Sequence, residues 1–247
     1  MKKFWIILLL LIPVSAVAQE ISGEEPEEPA EELADTSIVE VPPPYKFRLA
    51  VHGGYGYRFG RIPKSVSADE AQYLKGLKHG PYFGADASWF FKPDLGAGVR
   101  VSNLRGVSSA YVELTYENGT RKKGKLMDSV DILFVGPQLT ARRISKTGNG
   151  CFFITACLGY MRYMDSQKIV DTNQRMVGNT VGYGFDIGYD LRLAQWLWLG
   201  AQISGLTSSI RAVTVDDGTK KQNIILDSDE KESLTHISVS AGIRICL

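Results

Sequence analysis

The sequence predicts an all-β protein, an eight-stranded antiparallel up-and-down transmembrane β-barrel, and two observations carry that prediction. Residues 181–193 alternate between apolar side chains at odd positions and glycine or charged side chains at even positions, and residues 236–247 repeat the pattern. Side chains alternate across a strand, so each stretch is predicted to be a strand with one apolar and one polar face. Thirteen residues, the length of the first stretch, are enough to cross a bilayer at a tilt.

The first 44 residues are predicted to lie outside the barrel. Residues 1–18 have a basic start, a short apolar run and a small-x-small site ending at Ala18, which is typical of a cleaved signal peptide. Residues 19–44 contain nine acidic residues, five prolines and no lysine or arginine, a composition that predicts a disordered periplasmic tether. The predicted barrel, residues 45–247, has 26 basic and 18 acidic residues and a net charge of +8. Such a surface suits anionic lipid headgroups or lipopolysaccharide.

The first two predicted strands show the alternation clearly. Residues 45–59 place Phe47, Leu49 and Val51 on the face opposite Arg48 and His52. Residues 82–91 place Phe83 and Trp89 opposite Asp86. The connection between them, residues 60–80, is polar and is predicted to be a loop.

The third and fourth strands are less regular. The third opens at Leu95 with Arg100 on its inner face and continues irregularly toward a turn at residues 117–119. The fourth covers residues 129–143, and Gly136-Pro137 interrupts it. Because proline cannot donate a hydrogen bond to the ladder, we predict a bulge there that switches the face of the later residues.

The last four strands are predicted at residues 151–164, 181–193, 196–206 and 236–247. Residues 165–176 and 207–235 are polar and are predicted to be loops. The connections thus alternate in length, and the short ones lie at residues 92–94, 145–150 and 194–195. Short turns on the periplasmic side and long loops outside are typical of bacterial outer-membrane barrels.

Aromatic residues fall near the predicted strand ends and predict two interfacial girdles. They are Trp89, Phe91, Trp196 and Trp198 near the short turns, and Tyr55, Tyr57, Tyr82, Tyr160 and Tyr163 near the loops. The alternative fold is a secreted lipocalin-like barrel with a ligand inside. It requires the apolar face to point inward, whereas the small and charged face is too polar for such an interior.

The inner faces of the strands predict a charge network. An eight-stranded barrel is filled by side chains, and charges buried there must pair. The predicted lumen network consists of Arg48, Asp86, Arg100, Asp186, Asp190, Arg192 and Arg244. His52, Arg58 and Asp131 are also expected to point inward. This network favours a structural plug over a wide pore.

The chain resembles the outer-membrane β-barrel domain family of Gram-negative bacteria, in particular small porin-type barrels of the OmpX and OmpA-barrel kind. The similar residues are Val130-Asp131-Ile132 running to Gly136-Pro137, Gly182-Tyr183-Gly184-Phe185-Asp186-Ile187-Gly188-Tyr189, and Leu199-Gly200-Ala201. The resemblance covers residues 45–247 and implies an outer-membrane location, insertion by the barrel-assembly machinery, and no particular function.

For function we expect a structural role or loop-mediated surface binding and adhesion, because loops on a rigid scaffold usually carry binding. The candidate binding residues are Arg121, Lys122, Lys123 and Lys125, facing an extracellular ligand, a surface or lipopolysaccharide. We expect no nucleic-acid partner, no cofactor and no metal, since no metal spacing or phosphate-binding loop occurs.

The alternative function is an enzyme acting on outer-membrane lipid through a serine and a histidine. The chain has three histidines, His52, His79 and His236, and Ser209, Ser233 and Ser238 are the candidate nucleophiles. No spacing among them marks a catalytic triad, so we expect no enzyme. Cys151, Cys157 and Cys246 are expected to be small buried residues rather than a disulfide framework.

Overall fold

The computed structural model describes residues 45–60, 66, 68–115, 121–169, 172–216, 218, 220–226 and 231–247. The predicted signal peptide and tether lie outside the described residues. Among those that are described, no helix is long and apolar enough to cross a membrane.

Eight strands form a closed antiparallel ring. They are β1 (Phe47–Arg58), β2 (His79–Phe90), β3 (Leu95–Thr115), β4 (Arg121–Ile144), β5 (Gly150–Ile169), β6 (Thr172–Arg192), β7 (Leu197–Thr207) and, after four short strands, β12 (His236–Cys246). Each strand pairs with the next one in the ring, and β12 closes it by pairing with β7 and with β1, for example Leu49 opposite Ile245. The predicted eight-stranded antiparallel barrel is therefore confirmed.

The outer wall is apolar and the lumen holds the charges. Along β1, Leu49 and Val51 are 48% and 69% exposed, while their neighbours Arg48 and His52 are each 3% exposed. The same alternation runs along β6 and β12. An apolar wall on a closed barrel suits lipid, so the lipocalin-like alternative is wrong for this chain.

Most of the predicted girdle aromatics point outward, and three do not. Trp89, Phe91, Trp196, Tyr55, Tyr57 and Tyr160 are exposed on the outer wall. Tyr82, Tyr163 and Trp198 are at most 4% exposed and face the lumen. Alternation along the strands places these three residues on the inner face. Nearness to a strand end was therefore not enough to predict an outward side chain.

The predicted bulge at Gly136-Pro137 is wrong. The β4–β5 register is the same on both sides of it, with Val135 opposite Tyr160 and Gln138 opposite Cys157. Gly136 and Gly159 pack closely against each other. A Cβ on Gly136 would lie only 2.6 Å from the Gly159 Cα, so this approach requires glycine. The inward face of β4 consequently keeps one phase.

The predicted loops contain further regular structure. β5 and β6 extend through most of residues 165–176, and residues 207–235 contain β8 (Ser209–Ile210), β9 (Ala212–Asp216), β10 (Lys221–Ile225) and β11 (Glu232–Ser233). β9 pairs with β10 and with the first part of β6, and β8 pairs with β11. The polar stretch 60–80, which was predicted to be a loop, contains the helix α1 (Ala68–Gly76).

The long strands all continue on the side of the long connections. β3 to β6 have 20 to 24 residues, whereas β1, β2, β7 and β12 have 11 or 12. A membrane-crossing strand needs about 9–11 residues. Half of the barrel wall therefore rises about ten residues above the membrane on the extracellular side.

Candidate functional site

The centre of the lumen contains a buried ion-pair network. It includes six of the seven predicted residues: Arg48, Asp86, Arg100, Asp186, Asp190 and Arg244. They come from β1, β2, β3, β6 and β12, and alternation turns each of them inward. Their side chains are at most 7% exposed.

Arg48 connects two carboxylates. Its Nη1 lies 2.6 Å from Asp86 Oδ1 on the neighbouring strand, and its Nε donates to Asp190 Oδ2 at 3.0 Å across the lumen. The guanidinium also lies 4.5 Å from the centre of the Phe153 ring. A buried guanidinium needs such partners because its desolvation is costly.

Arg244 approaches Asp190 through the space left by Gly200. Its Nε forms an ion pair with Asp190 Oδ1 at 3.0 Å, and its Nη1 donates to the Gly200 carbonyl at 2.6 Å. A Cβ on Gly200 would collide with the Asp190 carboxylate and lie 2.8 Å from the Arg244 Cζ. The ion pair between Arg244 and Asp190 therefore requires glycine at position 200.

Arg100 and Asp186 form a second ion pair nearer the extracellular side. Arg100 Nη1 pairs with Asp186 Oδ2, and its Nη2 donates to the Tyr82 hydroxyl at 2.6 Å. Both members of the pair are at most 4% exposed.

Two residues predicted to point inward are elsewhere. Arg192 is partly exposed at the end of β6 and donates from Nε to the Ala194 carbonyl at 3.3 Å, so it stands apart from the network. Asp131 lies outside the lumen, where its Oδ1 accepts from Asn103 at 3.3 Å. Without a bulge, the phase of β4 turns Asp131 outward and its neighbours Val130 and Ile132 inward.

Arg142, which the sequence analysis did not single out, helps to close the periplasmic mouth. Its Cζ lies 3.5 Å from the centre of the Phe90 ring and 3.9 Å from that of Tyr45. Its Nε donates to the Pro93 carbonyl at 2.8 Å. The continuous alternation of β4 would have identified it, since it shares a face with Gln138 and Thr140.

The extracellular half of the lumen is filled by an apolar cluster. Its fully buried members are Tyr82, Ile132, Phe134, Met161, Ile210 and Leu234, each at most 1% exposed. Tyr73 and Leu74 of α1 pack against the cluster, so the helix covers the mouth. The charged centre is therefore enclosed by this apolar cluster on the extracellular side and by the Arg142 stack on the periplasmic side.

An acidic cluster lies beneath α1, above the membrane. The Tyr73 hydroxyl donates to Asp128 Oδ2 at 3.1 Å, and the Tyr163 hydroxyl donates to Asp165 Oδ2 at 3.2 Å. Burial, together with a hydrogen bond to Asp128 and its charge, raises the pKa of Asp165 to about 8. Burial and the Asp128 charge also raise the pKa of Tyr73. The protonated form of Asp165 is therefore favoured more than that of a solvent-exposed aspartate.

The predicted binding residues lie at the extracellular start of β4. The strand begins at Arg121, and Lys125 is exposed beside Tyr111 of β3. The side chains of Arg121, Lys122 and Lys123 lie outside the described part of the chain.

The histidines do not meet the serines considered in the enzyme hypothesis. His52 Nδ1 lies 3.1 Å from Ser240 Oγ, and its Nε2 lies 3.9 Å from Asp86 Oδ2, all within the lumen. His236 Nδ1 contacts the Leu234 carbonyl at 2.8 Å. His79 Nδ1 contacts the Tyr55 hydroxyl at 2.6 Å on the outer wall.

The three cysteines are buried and free, and two of them lie together at the periplasmic end of the lumen. Cys151 and Cys246 pack with Trp198, and the Tyr45 hydroxyl donates to Cys151 Sγ at 3.6 Å. Within the described residues, no three histidine, cysteine or carboxylate side chains come together as a metal site.

A closed barrel with an apolar outer wall and a filled, charged lumen defines a class: it is a transmembrane β-barrel of the bacterial outer-membrane type. A barrel is the one β-structure that satisfies all its backbone hydrogen bonds in lipid. The fold and the outer wall together place the protein in the outer membrane.

Among the comparisons with known proteins, one solved structure supports the fold. The chain is similar to the outer membrane protein OprG from Pseudomonas aeruginosa, with a TM-score of 0.51 and 10% identity over 82% of this chain and 97% of OprG. Neisserial surface protein A gives a TM-score of 0.48 and 11% identity over 81% and 97% of the two chains. The outer membrane protease OmpT from Escherichia coli gives 0.46 and 7% over 83% and 97%. No family model matches the chain, and no curated protein does.

Proposed function

We propose that this protein is a non-conducting outer-membrane barrel that binds anionic ligands at the cell surface. The observation that supports this most is the continuation of β3 to β6 above the membrane. These paired strands are longer than a barrel needs to cross the bilayer. The extra length forms a rigid scaffold above the membrane that can present binding residues. Insertion by the barrel-assembly machinery is the expected route to the membrane.

The charge of the outer end favours an anionic ligand. Arg121, Lys122, Lys123 and Lys125 place four positive charges within five residues at the extracellular start of β4. Clustered cations attract polyanions and raise their association rate. The ligand class is therefore a sulfated or phosphorylated glycan on a neighbouring surface.

The filled lumen supports binding rather than transport. Ion pairs occupy its centre, and the Arg142 stack and the apolar cluster under α1 fill its two ends. An eight-stranded barrel has an interior just wide enough for its own side chains.

The described contacts give the lipid-modifying enzyme no support. The Ser240–His52–Asp86 contacts are buried in the lumen, whereas a lipid substrate would reach the outer wall. A nucleophile must be within reach of its substrate as well as of its base.

The test is heparin binding by the detergent-purified protein with all four residues replaced by Gln: R121Q, K122Q, K123Q and K125Q. We expect the affinity to fall at least tenfold and its salt dependence to weaken, because surface charges act through screened attraction. The matched control removes four exposed or partly exposed charges at the periplasmic end: K92Q, R143Q, K146Q and R192Q. Equal affinity for the two quadruple variants would refute the proposal.

A further inference from the structure

A polar cleft opens on the outer wall at the extracellular end of β6 and β7. Its volume is about 640 Å³. The polar residues that line it include Asn179, Thr207, Ser209, Arg211, Ser233 and Thr235. No carboxylate is among its described lining residues, and Arg211 is its cation.

The cleft lies at the level of the outer lipid headgroups. On β6 the outward side chains from Leu191 to Val181 are apolar, and the next outward residue is Asn179. On β7 the outward series ends at Thr207, the last residue of this strand of 11 residues. That length matches one crossing of the hydrocarbon core, so the change from apolar to polar marks the interface.

The opening is held by hydrogen bonds and is a built feature of the wall. β6 pairs with β7 as far as Tyr183 opposite Thr207, and with β9 from Gly178 opposite Val213, which leaves residues 179–182 without a ladder on that side. Ser208 Oγ donates to the Val181 carbonyl at 2.7 Å. Thr180 Oγ1 donates to the Ser209 carbonyl at 3.0 Å.

The lining suits a headgroup that contains both phosphate and sugar. Arg211 is exposed, and the described residues that line the cleft with it include no carboxylate. A guanidinium binds phosphate through two parallel N–H donors. The hydroxyls of Thr207 and Thr235, 2.7 Å apart, can exchange hydrogen bonds with sugar hydroxyls.

The wall beside and below the cleft suits acyl chains. Val181 and Tyr183, which line the cleft on the membrane side, are 67% and 56% exposed. An exposed Tyr at this level is typical of a membrane interface, where the ring contacts lipid and the hydroxyl contacts the headgroups. The polar cleft and the apolar wall below it therefore match the headgroup and the acyl chains of a lipid.

We propose that this cleft binds the headgroup of a phosphorylated glycolipid of the outer leaflet, with Arg211 on a phosphate and Thr207 and Thr235 on the sugar. The site differs from the one proposed for surface ligands: it lies on the membrane wall, and it does not include the start of β4.

The test is a titration of the detergent-purified protein with lipopolysaccharide that lacks its outer saccharides, followed by native mass spectrometry. We expect R211A to weaken binding about tenfold and R211K to weaken it less, since one charge-assisted contact carries an effect of that size. The matched control is R143A, which removes an exposed arginine from the periplasmic end of the outer wall. It is expected to bind as the unaltered protein does.

Two results would overturn the assignment. One is unchanged binding by folded R211A, with folding checked by heat-modifiable electrophoretic mobility. The other is equal or tighter binding of phosphatidylglycerol, inorganic phosphate or dephosphorylated glycolipid, which would show that sugar and phosphate are not recognised together. Heparin binding is expected to be the same in R211A and in the unaltered protein, so this proposal and the proposed function can fail separately.

Discussion

Arg48 and Asp190 are joined across the lumen by a 3.0 Å hydrogen-bonded ion pair, although 142 positions separate them in the sequence. The contact links β1 to β6, which are not neighbours in the ring. Asp190 also forms the ion pair with Arg244, so two buried guanidinium groups share one carboxylate, and Arg48 has Asp86 as its second partner.

Asp190→Asn is expected to lower the free energy of unfolding by about 3–5 kcal/mol, because it leaves buried positive charge without its partner. Urea unfolding in lipid vesicles, followed by tryptophan fluorescence, measures the change. The control is Lys221→Ala at the exposed Lys221–Asp216 pair, where the expected loss is below about 1 kcal/mol. Equal losses in the two variants would show that the lumen network does not stabilise the barrel.

Gly136→Ala is expected to destabilise the barrel by about 1–3 kcal/mol, because a Cβ there collides with the β5 backbone at Gly159. Gly205→Ala is the matched control, since a Cβ at Gly205 meets no atom within 4 Å. The control should be neutral or slightly stabilising, because alanine restricts the unfolded chain. Thermal or urea unfolding of both variants gives the comparison, and a neutral Gly136→Ala would contradict the close packing of these strands.

Asp165 is expected to make stability depend on pH. Its pKa is raised from 3.8 to about 8, chiefly by burial. An acid with a raised pKa contributes stability that is fully present below pH 3.8, declines as pH rises, and is lost above about pH 8. In Asp165→Asn the free energy of unfolding should therefore decrease less between pH 3.8 and about pH 8.

The control for this pH dependence is Asp131→Asn, which changes a partly exposed carboxylate on the outside of the same region. The comparison shows whether the slope depends on Asp165 in particular or on any carboxylate of this region. Urea unfolding at several pH values between 4 and 9 separates the two variants. An unchanged slope in Asp165→Asn would assign the pH dependence to other groups.

The filled lumen predicts that the protein in a planar bilayer gives no steady conductance. The ion pairs of Arg48, Arg100 and Arg244 occupy the centre, and an eight-stranded barrel leaves little room beside them. A porin with a larger barrel, measured in the same membrane, serves as the positive control. Reproducible single-channel steps from the pure protein would contradict the filled lumen and the proposed binding role together.

The strand number, the three short turns and the direction of most side chains could be predicted from the sequence. These features follow from alternation with a period of two, which is local and can be read from residues such as those of 181–193. It also identified six members of the lumen network, because an inward charge in a small barrel must find a partner.

The pairing of the charges, the position of α1 and the length of the strands depend on contacts between residues that are distant in the sequence. The Arg48–Asp190 pair depends on the register of every strand between them in the ring, and no local pattern records that register. The phase of β4 at Gly136-Pro137 depends on the close approach of Gly159 from another strand. The prediction of a bulge considered only the local effect of proline and was therefore wrong. α1 was missed because the cluster that it covers is assembled from distant strands.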